Sequence, residues 1–321
     1  MEITSATYTT HAKAIILGEH SIVYRGSAIV APVPVLAITV TATINSSTAP
    51  SYDFDGSAIS RDQIANYYPG IDEALNSFPL PEGLSLSLTI RSTIPESRGL
   101  GSSAASANSA VRAIYRAIKN LTYFSEGIRL QRPHLSDLDT IVARCEDRVH
   151  GRASGLDQCG VTADCTCLFT SDRNGLPPMI TTLPNLNAYL VVADTGIIKN
   201  TKASVAAIKR RISAKDPQVY SAIETLSSIS DSLKDRWTHN HLEEIGASMN
   251  RAQEILSSLS LSLPELDRLI SLLRENGALG AKLSGGGCGG ICIGLFRDID
   301  KADAAVEGIQ KHECQAWRIS I

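Results

Sequence analysis

The chain has 321 residues, with 43% hydrophobic, 20% charged and a formal net charge of −3. That is the composition of an ordinary soluble globular protein, long enough for two domains or one large one, and with this net charge nothing suggests a nucleic-acid surface. Seven cysteines is an odd number, and with no signal peptide ahead of the first strand, reduced thiols in the cytoplasm are expected.

Residues 5–44 read as two or three strands around a turn at residues 18–26. The apolar run 28–44 contains Pro32 and Pro34 and is rich in threonine. It is too broken to span a membrane and predicts strands. Within this region lies His11-Ala12-Lys13-Ala14-Ile15-Ile16-Leu17-Gly18-Glu19-His20. By itself it describes a surface lysine, a strand and a polar turn. Residues 51–81 are weakly patterned, with one helix near residues 61–68.

Leu84, Leu86, Leu88 and Ile90 alternate with Ser85, Ser87 and Thr89, the period of a half-buried strand. Ala107, Ala110, Val111, Ile114, Ala117 and Ile118 recur at helical spacing. Between them stands Pro95-Glu96-Ser97-Arg98-Gly99-Leu100-Gly101-Ser102-Ser103-Ala104-Ala105. Ser102 or Ser103 is placed to cap the helix. Its first turn leaves N–H groups unpaired and carries partial positive charge. Glycines let a ligand approach that backbone closely, so the stretch suits a phosphate. A tight turn with a serine cap is the plainer reading. No Gly-Lys-Ser/Thr follows, so this is not a Walker A loop. The third glycine of a dinucleotide fingerprint is also missing.

A helix is predicted from about Ser136, as its cap, to His150, with Leu138, Ile141, Val142, Cys145 and Val149 as its apolar stripe and Gly151 as its stop. Glu146 and His150 share a face, and Glu146 borders the stripe. An ordinary i,i+4 pair is one reading. The other is a carboxylate for a metal, followed by Asp157 on a glycine-containing loop as a base. Cys165-Thr166-Cys167 is too short and isolated for zinc.

Turn-rich residues 171–178 and the break at Leu183-Pro184-Asn185 place a domain boundary, giving domains 1–183 and 184–321. A buried strand at 188–193 precedes helices near 201–212, 217–235, 242–258 and 264–276. Lys209-Arg210-Arg211 is a solvated face. Strands at 279–283 and 290–295 are joined through Lys282-Leu283-Ser284-Gly285-Gly286-Gly287-Cys288-Gly289-Gly290, more glycine than a hairpin needs. A flexible turn is the plainer reading there. A helix near 299–311 and a strand at 315–320 close the chain. The terminal Arg318-Ile319-Ser320-Ile321 is not a peroxisomal signal. Strands and helices segregate by region, so the class is α+β and not a doubly wound sheet.

Taken together and in this order, the lysine strand, the Pro-x-x-x-Gly-Leu-Gly-Ser-Ser-Ala loop and the C-terminal glycine loop resemble the three motifs of the GHMP kinase superfamily. The resemblance spans nearly the whole chain. Within the superfamily, Lys13 with Gly18-Glu19-His20-Ser21-Ile22-Val23-Tyr24 and Ala28-Ile29-Val30-Ala31-Pro32 is similar to the branch that phosphorylates mevalonate. So is Glu146, His150-Gly151, Ser154-Gly155 and Asp157. Galactokinases continue Gly-Glu-His with an Asp-Tyr pair that is absent here, and the diphosphate decarboxylases lack Gly-Glu-His. Thr10-His11-Ala12-Lys13 replaces the usual Ala-Pro-Gly-Lys, and Gly285-Gly286-Gly287 the usual Gly-Ala-Gly. Arg98 replaces a small residue.

The resemblance implies the two-domain GHMP kinase fold: an N-terminal ribosomal protein S5 domain 2-like domain and a C-terminal ferredoxin-like α+β domain. It implies ATP-dependent phosphorylation of the 5-hydroxyl of (R)-mevalonate, a step of isoprenoid biosynthesis. Arg98, Gly99, Leu100, Gly101, Ser102 and Ser103 would bind ATP, and Ser103 and Glu146 would bind Mg²⁺. Asp157 would be the base, with Lys13 beside it. Glu19, His20, Ser154, Thr201, Gly285 and Gly286 would meet the substrate. The only partner class implied is this small molecule, with no nucleic acid and no membrane. A homodimer is compatible with the family, and the sequence itself is silent on assembly. Another GHMP small-molecule kinase, for phosphomevalonate or a sugar, is the alternative. A catalytically silent member usually loses the lysine, the metal carboxylate or the base, and all three are present here.

Overall fold

A computed structural model of the chain describes residues 2–24, 26–46, 49–124, 134–151, 154–171, 178–198 and 201–321, the backbone alone at 122–124, 150 and 201–203. The chain forms two compact units, each discontinuous in sequence. The first holds residues 1–12, 36–94 and 102–162, and the second 13–35, 95–101 and 163–321. Two long strands, β1 (Glu2–Leu17) and β2 (Ser27–Asn45), contribute to both.

In the first unit, β2 alternates buried Ile38, Val40, Ala42 and Ile44 with partly exposed Thr39, Thr41 and Thr43, so one face is apolar. It pairs antiparallel with β5 (Ser85–Ser92), from Ile38 opposite Ser92 to Asn45 opposite Ser85. Thr7 and Thr9 on β1 share hydroxyl hydrogen bonds of 2.9 Å with Thr41 and Thr39. Short β3 (Tyr52–Phe54) pairs parallel with β5 and antiparallel with β4 (Ser57–Ala58).

The helices of this unit are α1 (Arg61–Tyr67), α2 (Pro69–Asn76), α3 (Ser102–Phe124), α4 (Leu138–His150) and α5 (Leu156–Thr162). Helix α3 packs on α2, α4 and α5. Its small inward residues, Ala104, Ala105, Ala107, Ala110, Ala113 and Ala117, are all buried and permit close approach.

Three local expectations are corrected. The region after residue 51 holds two helices, not one: Ser60 and Gln63 form a capping box for α1, and Pro69 starts α2 at its first turn. Ser136 does not cap α4. It lies in a 3₁₀ turn (Leu135–Asp137), and the Asp137 carboxylate turns back to accept from the His134 amide at 2.8 Å. Strand β5 is buried on both faces through Ser87, because Ser87 Oγ accepts from the Ser51 amide (2.9 Å) and Asn45 Nδ2 (3.1 Å), which covers the polar side.

In the second unit, Ser27–Val30 of β2 pair antiparallel with β6 (Cys167–Thr170), and β6 with β7 (Met179–Thr182). A separate antiparallel sheet has the order β11 (Gln315–Ser320), β8 (Tyr189–Asp194), β10 (Ile291–Phe296), β9 (Gly280–Ser284). Every residue of β9 and β10 is buried. Helices α8 (Leu242–Ser258) and α9 (Pro264–Glu275) pack on β9, and α10 (Ile299–Gln310) packs on β11 and β8. The unit also contains α6 (Thr201–Ser213) and α7 (Pro217–Thr238). Trp237 of α7 is fully buried, and its indole donates to Pro184 O at 2.8 Å. Mainly antiparallel sheets, with the helices packed in groups against them, make this an α+β fold.

Gly18 closes β1. Its φ is +108°, and a Cβ there would stand 2.5 Å from Ala28 Cα. Gly18→Ala is therefore expected to lower stability by about 1–3 kcal/mol, as overpacking does, read as a fall in Tm.

Candidate active site

The glycine-rich loop is fastened to β1 by one residue. Lys13 is 2% exposed; its amide donates to Leu100 O and its ammonium to Gly99 O, both at 2.9 Å. Ser97, Gly99 and Gly101 all have positive φ (58°, 88° and 80°). Such a backbone can turn successive N–H groups toward one anion. The unusual Thr10 ahead of this lysine is buried and useful: its hydroxyl donates to Ala105 O at 2.8 Å, tying β1 to α3 within the first unit.

Neither serine caps α3. Ser102 is already its first residue, and the Ser103 hydroxyl is taken by Glu146 Oε1 at 2.8 Å. Glu146 is 2% exposed on α4. A hydroxyl and a carboxylate are hard oxygen donors. Among the described residues, no group of three His, Cys, Asp or Glu side chains forms a metal cluster. A hydroxyl and a carboxylate suit Mg²⁺, which takes oxygen donors and keeps water and phosphate ligands.

Asp157 lies not on a loop but in the first turn of α5, half-buried, where a negative charge matches the helix dipole. The sequence hid this because α5 is short and follows Gly155, whose φ is 81°. Ser154 Oγ accepts from the Leu156 amide at 3.3 Å, so this serine helps start α5. The side chain of His150 lies outside the described residues, as does that of Thr201, whose backbone opens α6.

A second cluster joins the end of β1 to β9 and the glycine loop after it. Ser284 Oγ accepts from the Ile15 amide and donates to Ile15 O, each at 2.9 Å. Glu19 Oε1 accepts from Lys282 Nζ; Lys282 is 0% exposed and also donates to Leu283 O. Burial pulls the Lys282 ammonium below the usual lysine range, against the opposing pull of Glu19. Glu19 Oε2 is buried without a hydrogen-bond partner. His20, with φ of 58°, places Nε2 3.2 Å from Gly286 O, so this nitrogen donates.

The glycine loop is packed and not a flexible turn: residues 285–287 are buried, and a Cβ on Gly287 would collide with Leu261 O.

Two charged residues take their roles only from the fold. Lys282, which opens the glycine-loop motif, is one. The other is Asp194, whose Oδ2 lies 3.3 Å from Arg98 Nε. Lys282 stands inside buried β9 and Asp194 ends buried β8, and a charge at such a place is the sequence signal for both. Asp194 Oδ1 accepts from the Gly196 amide at 3.0 Å. Burial nevertheless holds the Asp194 carboxyl above the usual aspartate range, outweighing Gly196 and Arg98. A carboxyl with a raised pKa takes up its proton more readily in the folded state. Its contribution to stability is thus full at low pH and lost as pH rises through the raised value. The unfolding free energy of the wild type minus that of Asp194→Asn should fall with rising pH just above the ordinary aspartate range, in denaturant titrations at stepped pH.

Residues 66–164 match the family described as GHMP kinases N terminal domain, and residues 231–313 match GHMP kinases C terminal. The chain is 32% identical over 238 residues to the mevalonate kinase of Aeropyrum pernix, covering 73% of this chain and 68% of that one. It is 29% identical over 309 residues to that of Pyrococcus horikoshii, covering 88% and 86%. Among solved structures, it is similar in fold to L. major mevalonate kinase in complex with R-mevalonate, with a TM-score of 0.78 and 24% identity over 99% of this chain and 95% of that one.

Proposed function

This chain belongs to the GHMP kinase family, and we propose that it transfers the γ-phosphoryl group of ATP to the 5-hydroxyl of (R)-mevalonate, giving 5-phosphomevalonate and ADP. The observation that carries this reading is the Ser103–Glu146 pair. It sets a hard-oxygen donor at the head of the helix that follows the loop held by Lys13. The named relatives supply the acceptor.

Phosphoryl transfer asks mainly for positioning and charge stabilisation. The amides of Arg98, Gly99, Leu100, Gly101, Ser102 and Ser103 hold the phosphates. Ser103 and Glu146 would hold Mg²⁺, which neutralises charge on the phosphate oxygens when bound. Glu19, His20, Ser154, Thr201, Gly285 and Gly286 would meet the acceptor. Asp157 takes the hydroxyl proton as the O5–phosphorus bond forms and the bond from phosphorus to the ADP oxygen breaks. Lys13 keeps its ammonium at the loop, where negative charge is handled.

The two family matches fall on either side of residue 183, which supports domains 1–183 and 184–321. No helix among the described residues is long and apolar enough to cross a membrane, and the reactants are small and polar; both support a cytoplasmic enzyme.

ADP release over a panel of (R)-mevalonate, phosphomevalonate, galactose and homoserine tests the reading. The expected result is a kcat/KM for mevalonate far above the others. A higher value for any other acceptor overturns it.

A further inference from the structure

Lys282 sits on a strand whose every residue is buried, and is itself 0% exposed. An aliphatic side chain would suit that position. Desolvating an ammonium and a carboxylate is costly, and a well-packed apolar pair of similar volume is commonly as stable or more so. The Lys282–Glu19 pair is therefore a poor device for stability alone, and its use lies in the geometry that it imposes.

That geometry is specific. The same two segments are tied three times: Ser284 to Ile15, Lys282 to Glu19, and Gly286 to His20. Between the ties, Gly18 and His20 both hold positive φ, 108° and 58°. Positive φ is uncommon outside glycine, and His20 holds it while buried and bonded to Gly286 O. Lys282 occupies Glu19 Oε1 and fixes the plane of the carboxylate. Oε2 is left as a buried acceptor without a hydrogen-bond partner, which is the state of a group prepared for a donor.

We propose that Lys282 is a positioning residue for the acceptor end of the site: it orients the Glu19 carboxylate, and through it the left-handed His20, before the acceptor binds. The proposal rests on the reading of Glu19 and His20 as acceptor-binding residues.

The test separates positioning from stability. Lys282→Met and Glu19→Gln each leave one partner without its counter-charge, and each should lower Tm. The Lys282→Met/Glu19→Gln double variant carries neither charge and should recover most of that Tm. Its KM for the acceptor should stay raised by about tenfold, the loss of roughly one hydrogen bond to a charged group, while KM for ATP stays within about twofold of wild type. Glu19→Asp keeps both charges but shortens the reach, and should raise the acceptor KM with little change in Tm. Recovery of the acceptor KM together with Tm in the double variant would overturn the proposal. So would an equal rise in KM for ATP, or a wild-type acceptor KM in Glu19→Asp. All variants are assayed with the acceptor that the wild type prefers in the panel. A mistaken acceptor thus shows in the wild type, and a mistaken role for Lys282 shows only in the variants.

Discussion

Asp157→Asn is expected to fold with a near-wild-type Tm and to lose about 10²–10⁴-fold in kcat, the usual contribution of a positioned general base. The two side chains are nearly isosteric, and the position is half-buried in the first turn of α5. The helix keeps its start, because the Ser154 hydroxyl and the Gly155 carbonyl accept from the Leu156 and Cys159 amides irrespective of residue 157. The loss therefore belongs to chemistry. KM values for both substrates should move far less than kcat, since an amide can still accept a hydrogen bond from the acceptor hydroxyl but cannot take its proton. Steady-state ADP release with a thermal melt on the same samples decides the matter. A kcat within a few-fold of wild type would remove Asp157 from the base role.

Glu146→Ala is expected to raise the Mg²⁺ concentration for half-maximal rate by an order of magnitude or more and to lower kcat at saturation. Glu146 is 2% exposed, and its Oε1 receives the Ser103 hydroxyl. If Glu146 holds Mg²⁺ as proposed, removing it deletes a ligand of a cation that takes few protein ligands, each of which then weighs heavily. It also leaves Ser103 Oγ, which is part-buried, without that acceptor, and the lost hydrogen bond lowers stability by about 0.5–1.5 kcal/mol. Glu146→Gln separates the two effects. It can accept the Ser103 hydroxyl and should recover stability, yet its neutral amide should leave the Mg²⁺ requirement raised. An Mg²⁺ titration at fixed ATP reads this directly. An unchanged Mg²⁺ dependence in both variants would take Glu146 out of the metal site.

What could be read in the sequence was local or periodic. The strand–loop–helix around residues 95–105 was visible because a period of two gives way to a period of 3.6 across a glycine pair. The helices of the second half were visible for the same reason, and α7, α8 and α9 lie close to where their apolar spacing put them. What could not be read depends on partners. Helix α2 leaves little trace in the weakly patterned residues 51–81, although its Pro69 is at home in a first helical turn. Asp157 looked like a loop residue because α5 is only seven residues long. The polar face of β5 is covered by Asn45 and Ser51, which no alternation pattern reveals.

The site divides in the same way. Lys13, Ser103, Glu146 and Asp157 stand in recognisable motifs. Lys282 acquires meaning only from Glu19, 263 residues away in sequence, and Asp194 only from Arg98. A charged residue inside an apolar strand marks such a position, but only the folded chain names its partner. Of the departures from the family pattern, Thr10 is accounted for by a contact: its hydroxyl hydrogen-bonds to α3.

The most direct test of the central claim is the product itself. Wild-type protein with ATP, Mg²⁺ and (R)-mevalonate is followed by phosphorus NMR and mass spectrometry. The account predicts ADP and 5-phosphomevalonate in equal amounts, with neither accumulating over the same period in Asp157→Asn. ADP formed without phosphorylated mevalonate, or no turnover of mevalonate while another alcohol of the panel is phosphorylated, would contradict it.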